Sequence, residues 1–257
     1  MNHAVASTGG MARAARVLAW LGLGLALACG AAELVAGPGY RWGWWNFRFG
    51  TQLMRWSATT DLAAVLFALS GALLAWKSVA RRSLVIALAG LILGLVVCGP
   101  PLYLYREVGR LPRIHDVSTD TANPPRFVAV LPLRKGAENS TDHGADVAAQ
   151  QKKGYPDIAP LMLNLPPAQA MQRAEAAARA LGWDLVAVVP AEMRIEATDT
   201  TLLFGFKDDI VVRVTPEGAG SRVDVRSTSR VGRSDFGANA KRIRRFMRQL
   251  DAAQAGA

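Results

Sequence analysis

Three long apolar runs dominate the first part of the chain: Val17 to about Val35, Leu62 to Trp76, and Leu84 to Cys98. The last carries on through Pro100 and Pro101 to Tyr105. A helix rises ~1.5 Å per residue and the hydrocarbon core of a bilayer is ~30 Å thick, so each run crosses with help from its flanks. The expected spans are about 15–36, 60–77 and 83–105. Trp20, Trp42, Trp44, Trp45, Trp56, Trp76, Tyr103 and Tyr105 lie in or beside the runs, where indole and phenol rings meet the membrane interface. The stretch from Arg41 to Phe49 is expected to lie flat in that interface.

Beyond residue 113 the pattern changes to short alternating stretches. Pro166 and Pro167 open a helix running to about Leu181, and Gly182 ends it. Strands are expected at 183–189, 194–198, 209–215 and 222–230, with a short piece at 202–206. In Arg222–Arg230, Val223 and Val225 oppose Arg222, Asp224, Arg226, Thr228 and Arg230. Ile210, Val212 and Val214 oppose Val211 and Arg213, and Ile195 and Ala197 oppose Arg194 and Glu196. A last helix from about Phe236 to Ala252 carries Ile243, Phe246, Met247 and Leu250 as its stripe. The order predicts an α+β fold: an antiparallel sheet with flanking helices and one charged face, following an all-α region of three transmembrane helices. The domains are 1–113 for the membrane and 114–257 for the soluble part, with a polar surface insertion at about 134–154.

Charge sharpens this division. Residues 1–113 hold eleven Lys/Arg against three acids, a net +8; residues 114–257 hold nineteen against seventeen, a net +2. The excess sits between apolar runs, so it reads as topology signal and lipid contact rather than a nucleic-acid surface. Arg13 and Arg16, with Lys77, Arg81 and Arg82 in a very short loop, are expected on the cytoplasmic side of a cell inner membrane. That places the C-terminal domain in the periplasm. Ala26-Leu-Ala-Cys29 has the look of a lipoprotein cleavage site, but two further spans anchor the chain, and Cys29 is read as a small buried residue. Glu33 and Asp61 are placed near run ends within reach of water, so no proton pathway is read. Two cysteines exclude a disulfide scaffold.

The candidate chemistry is in the C-terminal part. Arg194, Glu196, Arg213, Asp224, Arg226 and Arg230 line the charged face, as a groove for an anion or as a ladder of ion pairs. The strand-to-helix loop adds Ser227, Ser229, Gly232, Ser234, Asp235, Gly237 and Asn239, where a helix N-terminus presents free N–H groups and Ser234 or Asp235 is a natural cap. Glu196, Asp199, Asp208 and Asp209 form a possible acid cluster, for a hard cation or as an acid pair. His143 is expected on the surface, and Lys241, Arg242, Arg244, Arg245 and Arg248 on a solvated helix face. No nucleophile elbow, P-loop, dinucleotide fingerprint or zinc spacing appears, so no metal site or cofactor is expected.

Several stretches together carry a resemblance. They are Val117-Ser-Thr-Asp-Thr, Tyr155-Pro-Asp-Ile, Gly182-Trp183, Arg194-Ile-Glu-Ala-Thr-Asp-Thr, Phe204-Gly-Phe-Lys-Asp-Asp-Ile-Val-Val-Arg, and the run from Asp224 to Asn239. Over roughly residues 114–253 the chain resembles the DUF1499 family of bacterial and plant proteins. That resemblance implies no activity and transfers no catalytic residue. The expectation is a membrane protein displaying a domain that binds an anionic ligand or an envelope protein. The alternatives are a membrane-anchored, metal-assisted hydrolase and a purely structural membrane component.

Overall fold

The computed structural model describes residues 2–255, and the chain divides into two compact units after Gly109. The first unit is three helices: α1 (Asn2–Arg41), α2 (Phe47–Lys77) and α3 (Arg81–Val108). Within them Gly9–Arg41, Phe47–Lys77 and Arg81–Tyr103 are long and apolar enough to cross a membrane. Small residues fill the interior, with Ala15, Ala19 and Ala26 of α1 and Ala64, Ala68 and Ala75 of α2 buried. Large ones point outward, among them Val17, Leu21, Leu66, Leu73, Ile92 and Val96. Small residues at helix contacts with large apolar ones outside is the arrangement a lipid surround favours. The helices touch backbone to backbone. A Cβ at Gly71 would lie 2.8 Å from the Ala19 nitrogen, and one at Gly22 would lie 2.7 Å from that of Ala68.

The expected interfacial stretch at 41–49 contracts to a turn, because α2 begins at Phe47. Asn46 has extended backbone and accepts the Phe49 N–H at 2.9 Å, which starts the helix there. Trp45 Nε1 donates to the Ala36 carbonyl at 3.0 Å and closes the turn. The early start corrects the reading of Asp61. Fourteen helical residues precede it, and it is fully buried among the three helices rather than water-reachable.

The second unit is the α+β part. Its elements are β1 (Asp116–Ser118), α4 (Ala145–Gly154), β2 (Leu161–Leu163), α5 (Pro167–Ala180), β3 (Asp184–Val189), β4 (Arg194–Thr200), β5 (Lys207–Glu217), β6 (Gly220–Ser229) and α6 (Ala238–Ala255). The sheet is antiparallel in the order β1-β6-β5-β4-β3, and β2 shares the outer edge of β6 with β1. Ile195 faces Val212, Val212 faces Val225, and Val214 faces Val223 across the strands. These side chains form one apolar face and pack with Ala170, Met171 and Ala174 of α5 and Ile243, Phe246 and Leu250 of α6. Trp183 stacks on Phe246 with ring centroids 5.0 Å apart.

Three local expectations change. Residues 202–206 form the turn between β4 and β5 rather than a strand, closed by Gly205 N–H to the Thr201 carbonyl at 2.9 Å with Gly205 at φ +68°. The polar insertion at 134–154, mostly exposed, is more than a loop: it holds α4, and Arg134 and Gln151 are buried. Gln151 anchors the helix through both ends of its amide. Its Oε1 accepts the Ser118 N–H at 2.9 Å, and its Nε2 donates to the Ser118 carbonyl at 2.6 Å. Finally, the charged face of the sheet is covered. The chain between β1 and α4 crosses it, and Phe127 and Val130 seat on Val211 with Val186 alongside.

Candidate functional site

Strand alternation sorts the candidate residues between two faces. Glu196 and Asp209 point to the covered face with Arg213 and Arg226, whereas Asp199 and Asp208 point to the helix face with Ser227 and Ser229. The four acids therefore do not converge. Among the described residues no group of three or more His, Cys, Asp or Glu comes together as a metal would require.

Each acid meets cationic or N–H donors. The fully buried Glu196 carboxylate accepts the backbone N–H groups of Val128, Ala129 and Val130 at 2.9 to 3.1 Å, and it pairs with Arg194. Three successive amides on one carboxylate pin the covering segment to the sheet. Asp209 takes Arg134 at 2.5 Å, Arg230 at 2.8 and 2.9 Å, and the Thr198 hydroxyl at 2.8 Å. Burial works to raise the Asp209 carboxyl, but these donors outweigh it and hold it below the usual carboxylate range. Arg213 and Arg222 share Asp224 at 3.0 Å each, with Asp120 beside them.

On the helix face Arg242 is the hub. It donates to Asp199 at 2.7 Å, Asp208 at 2.6 Å, Asn239 Oδ1 at 2.6 Å and Ser227 Oγ at 3.1 Å. Asn239 Nδ2 donates to Ser229 Oγ at 3.0 Å and to the His115 carbonyl at 2.9 Å. The solvated-face reading of Arg242 is thus corrected: the side chain turns inward from the second turn of α6 to neutralise two strand-end acids. Arg244 pairs with Asp157 at 2.6 Å and lies over the Tyr155 ring.

The loop before α6 accommodates its own cap. Asp235 accepts the N–H groups of Gly237 and Asn239, both at 2.8 Å, so a carboxylate already holds the helix N-terminus. Burial pushes the Asp235 carboxyl up, against the pull of those two amides. Ser234 Oγ accepts the Phe236 N–H, and the Gly232 carbonyl accepts Asn139 Nδ2 at 2.9 Å. Gly232 and Gly237 take φ of +87° and +78°, the left-handed region that admits glycine without strain.

One place on the covered face remains open. Arg226 holds fully buried Asp116 through Nε at 3.0 Å and Nη2 at 2.6 Å, and donates to the Thr141 and Pro125 carbonyls. The ring of Phe127 lies 5.1 Å from the guanidinium carbon. His143 completes the group. Its side chain is only 1% exposed, which corrects the surface reading, and its Nδ1 lies 3.2 Å from Asp116 Oδ2. Neither ring nitrogen makes an aligned hydrogen bond to a protein group. Burial works to raise the Asp116 carboxyl, but the His143 and Arg226 contacts outweigh it and hold it low. His143 and Arg226 border a cleft of about 440 Å³ whose other walls include Asn123, Arg126, Phe127, Thr141 and Asp142, the last offsetting part of its positive charge. Arg126 and Asn123 are exposed at its rim. A second cleft of about 270 Å³ lies by Lys241, Arg242 and Arg245, where Asp199 offsets part of the positive charge.

Of the ligand residues read from sequence, Arg226 alone borders the larger cleft. His143, Arg126 and Asp116 were missed as site residues. His143 lies in an aperiodic polar run, and its partner precedes it by 27 residues, so no local spacing announces the pair.

Comparison with known proteins adds one finding. A family model described as a protein of unknown function (DUF1499) matches residues 116–250, more than half of the chain. No curated protein matches it.

Proposed function

We propose, starting from a chain that belongs to the DUF1499 family and carries three helices able to cross a membrane, that this is a membrane-anchored binding protein. Its C-terminal unit receives an anionic group in the cleft beside His143. One observation carries the reading: a buried imidazole with an unpartnered Nε2 borders a cleft of ligand size that also has Arg126 and Arg226 on its walls. A buried polar atom without a partner is costly, and an anion's oxygen accepting from His143 would relieve it. Arg126 at the rim adds a charge-assisted donor.

In this reading the bilayer is a bacterial inner membrane and the C-terminal unit is periplasmic. The support is the placement of Arg13, Arg16, Lys77, Arg81 and Arg82, which crowd one end of the bundle with no acid between them.

The test is calorimetric titration of inorganic phosphate into the full chain in lipid nanodiscs. The expected result is saturable binding that Arg126→Ala and His143→Ala each weaken by about tenfold, with surface Lys241→Ala neutral. Wild-type protein that takes up no phosphate, or variants that bind as well as it does, would refute the reading.

A further inference from the structure

We propose that Asp61 and Glu33 form a proton-binding site inside the three-helix bundle. Asp61 lies fourteen residues from the start of α2 and sixteen from its end, so ~21 Å of helix precedes it and ~24 Å follows it. It is 0% exposed, and neither carboxyl oxygen makes an aligned hydrogen bond, although the Cys98 thiol and backbone N–H lie beside it. Glu33 of α1 is half-buried, and its Oε1 is buried and likewise without an aligned bond.

The titratable groups facing Asp61 are Cys29 and Glu33 from α1 and Cys98 from α3. None is basic. On α2 itself the closest basic side chain in sequence is Arg55, which is exposed. On the α3 side Gly94 leaves the room that Asp61 Oδ2 occupies, since a Cβ there would lie 3.4 Å from it.

An ionised carboxylate with no countercharge and no aligned donor is too costly in such an interior, so the site calls for a cation. A hard divalent ion needs about six oxygens. The two carboxyls have sulfur neighbours instead, and a proton is the cation that fits.

Close glycine contacts flank the site at both ends: toward the Arg41 end a Cβ at Gly39 would overlap the Trp45 ring and one at Gly30 would lie 3.1 Å from Val97. Away from the Arg41 end, Gly22 packs on the Ala68 backbone, Gly71 on Ala19 and Gly90 on Leu23. A Cβ at any of the three would fall within 2.9 Å of backbone. Toward the Arg41 end lies half-buried Glu33, eight residues short of the helix terminus. Glu33 is the relay and Asp61 the terminus.

The experiment uses the full chain in lipid vesicles and dicyclohexylcarbodiimide, an apolar reagent that attacks carboxyls in their protonated form. Modified residues are mapped by peptide mass spectrometry. The expected result is labelling of Asp61 that slows at least about tenfold between about pH 6 and about pH 9. Glu33→Gln should slow the response of that labelling to a pH jump, and Asp61→Asn should abolish it with helix content unchanged. Three results would overturn the proposal: no labelling of Asp61 in folded protein, labelling equal at both pH values, or labelling suppressed by sodium at constant pH.

Discussion

Arg226 and Asp116 sit 110 residues apart in sequence and meet through two guanidinium nitrogens. Alternation along β6 places Arg226 on a charged face; nothing local says which acid it meets, or that the face is covered. For this reason a set of side chains that reads as a groove folds into a closed network. The energetic consequence is sharp, because removing one partner leaves the other buried and charged. Arg226→Ala should lower the stability of the C-terminal unit by about 3–5 kcal/mol, and Arg226→Met with Asp116→Leu should recover most of it. Denaturant unfolding followed through amide exchange in β6 would check both. Glu196 offers a finer test. Glu196→Gln weakens three charge-assisted acceptances, so exchange at Val128, Ala129 and Val130 should speed by about tenfold or more while β4 and β5 stay protected.

Elements with a long period were legible and short or polar ones were not. The apolar runs, α5, α6 and the alternation of β4, β5 and β6 all bury enough side chains to leave a pattern. β1 and β2 have three residues each, too few for alternation to register. Among the residues of α4, only Gln151 is buried, so its inward side looks polar in sequence. That side chain completes the hydrogen bonding of Ser118 much as a neighbouring strand would. Gln151→Leu keeps the volume and loses both bonds, so limited proteolysis should cut within 135–154 several-fold faster while the sheet remains intact. In the membrane unit, two glycines of similar appearance should respond oppositely. Gly71→Leu drives a side chain into the Ala19 backbone and should lower the thermal midpoint in detergent markedly. Gly24 is exposed and a Cβ there meets nothing within 4 Å, so Gly24→Leu should leave it unchanged.

At the scale of the whole molecule, the buried acids govern acid tolerance. Asp116, Asp120, Asp157 and Asp209 are held below their ordinary values in the folded state. Their stabilisation is therefore complete above the unfolded carboxylate range, ~4, and is lost as pH falls through the folded values. Asp235, pushed up, has the opposite sign: it opposes folding once ionised and ceases to do so in acid. His115, held below the usual imidazole range chiefly by burial, takes up its proton more readily once unfolded, so the unfolding midpoint of the C-terminal unit should begin to decline as pH falls through about 6.5 and fall steeply below about pH 4. The order of pairing along the chain has a further effect, on synthesis. β1 leaves the ribosome soon after α3, but the strand it joins, β6, ends at Ser229. The membrane helices, whose contacts are all complete once α3 has emerged, can assemble at once; the sheet waits for about a hundred more residues and closes late. A chain interrupted before Gly220 would consequently carry a finished anchor and an unfolded tail, a product that the cell's proteases can recognise by its exposed backbone alone.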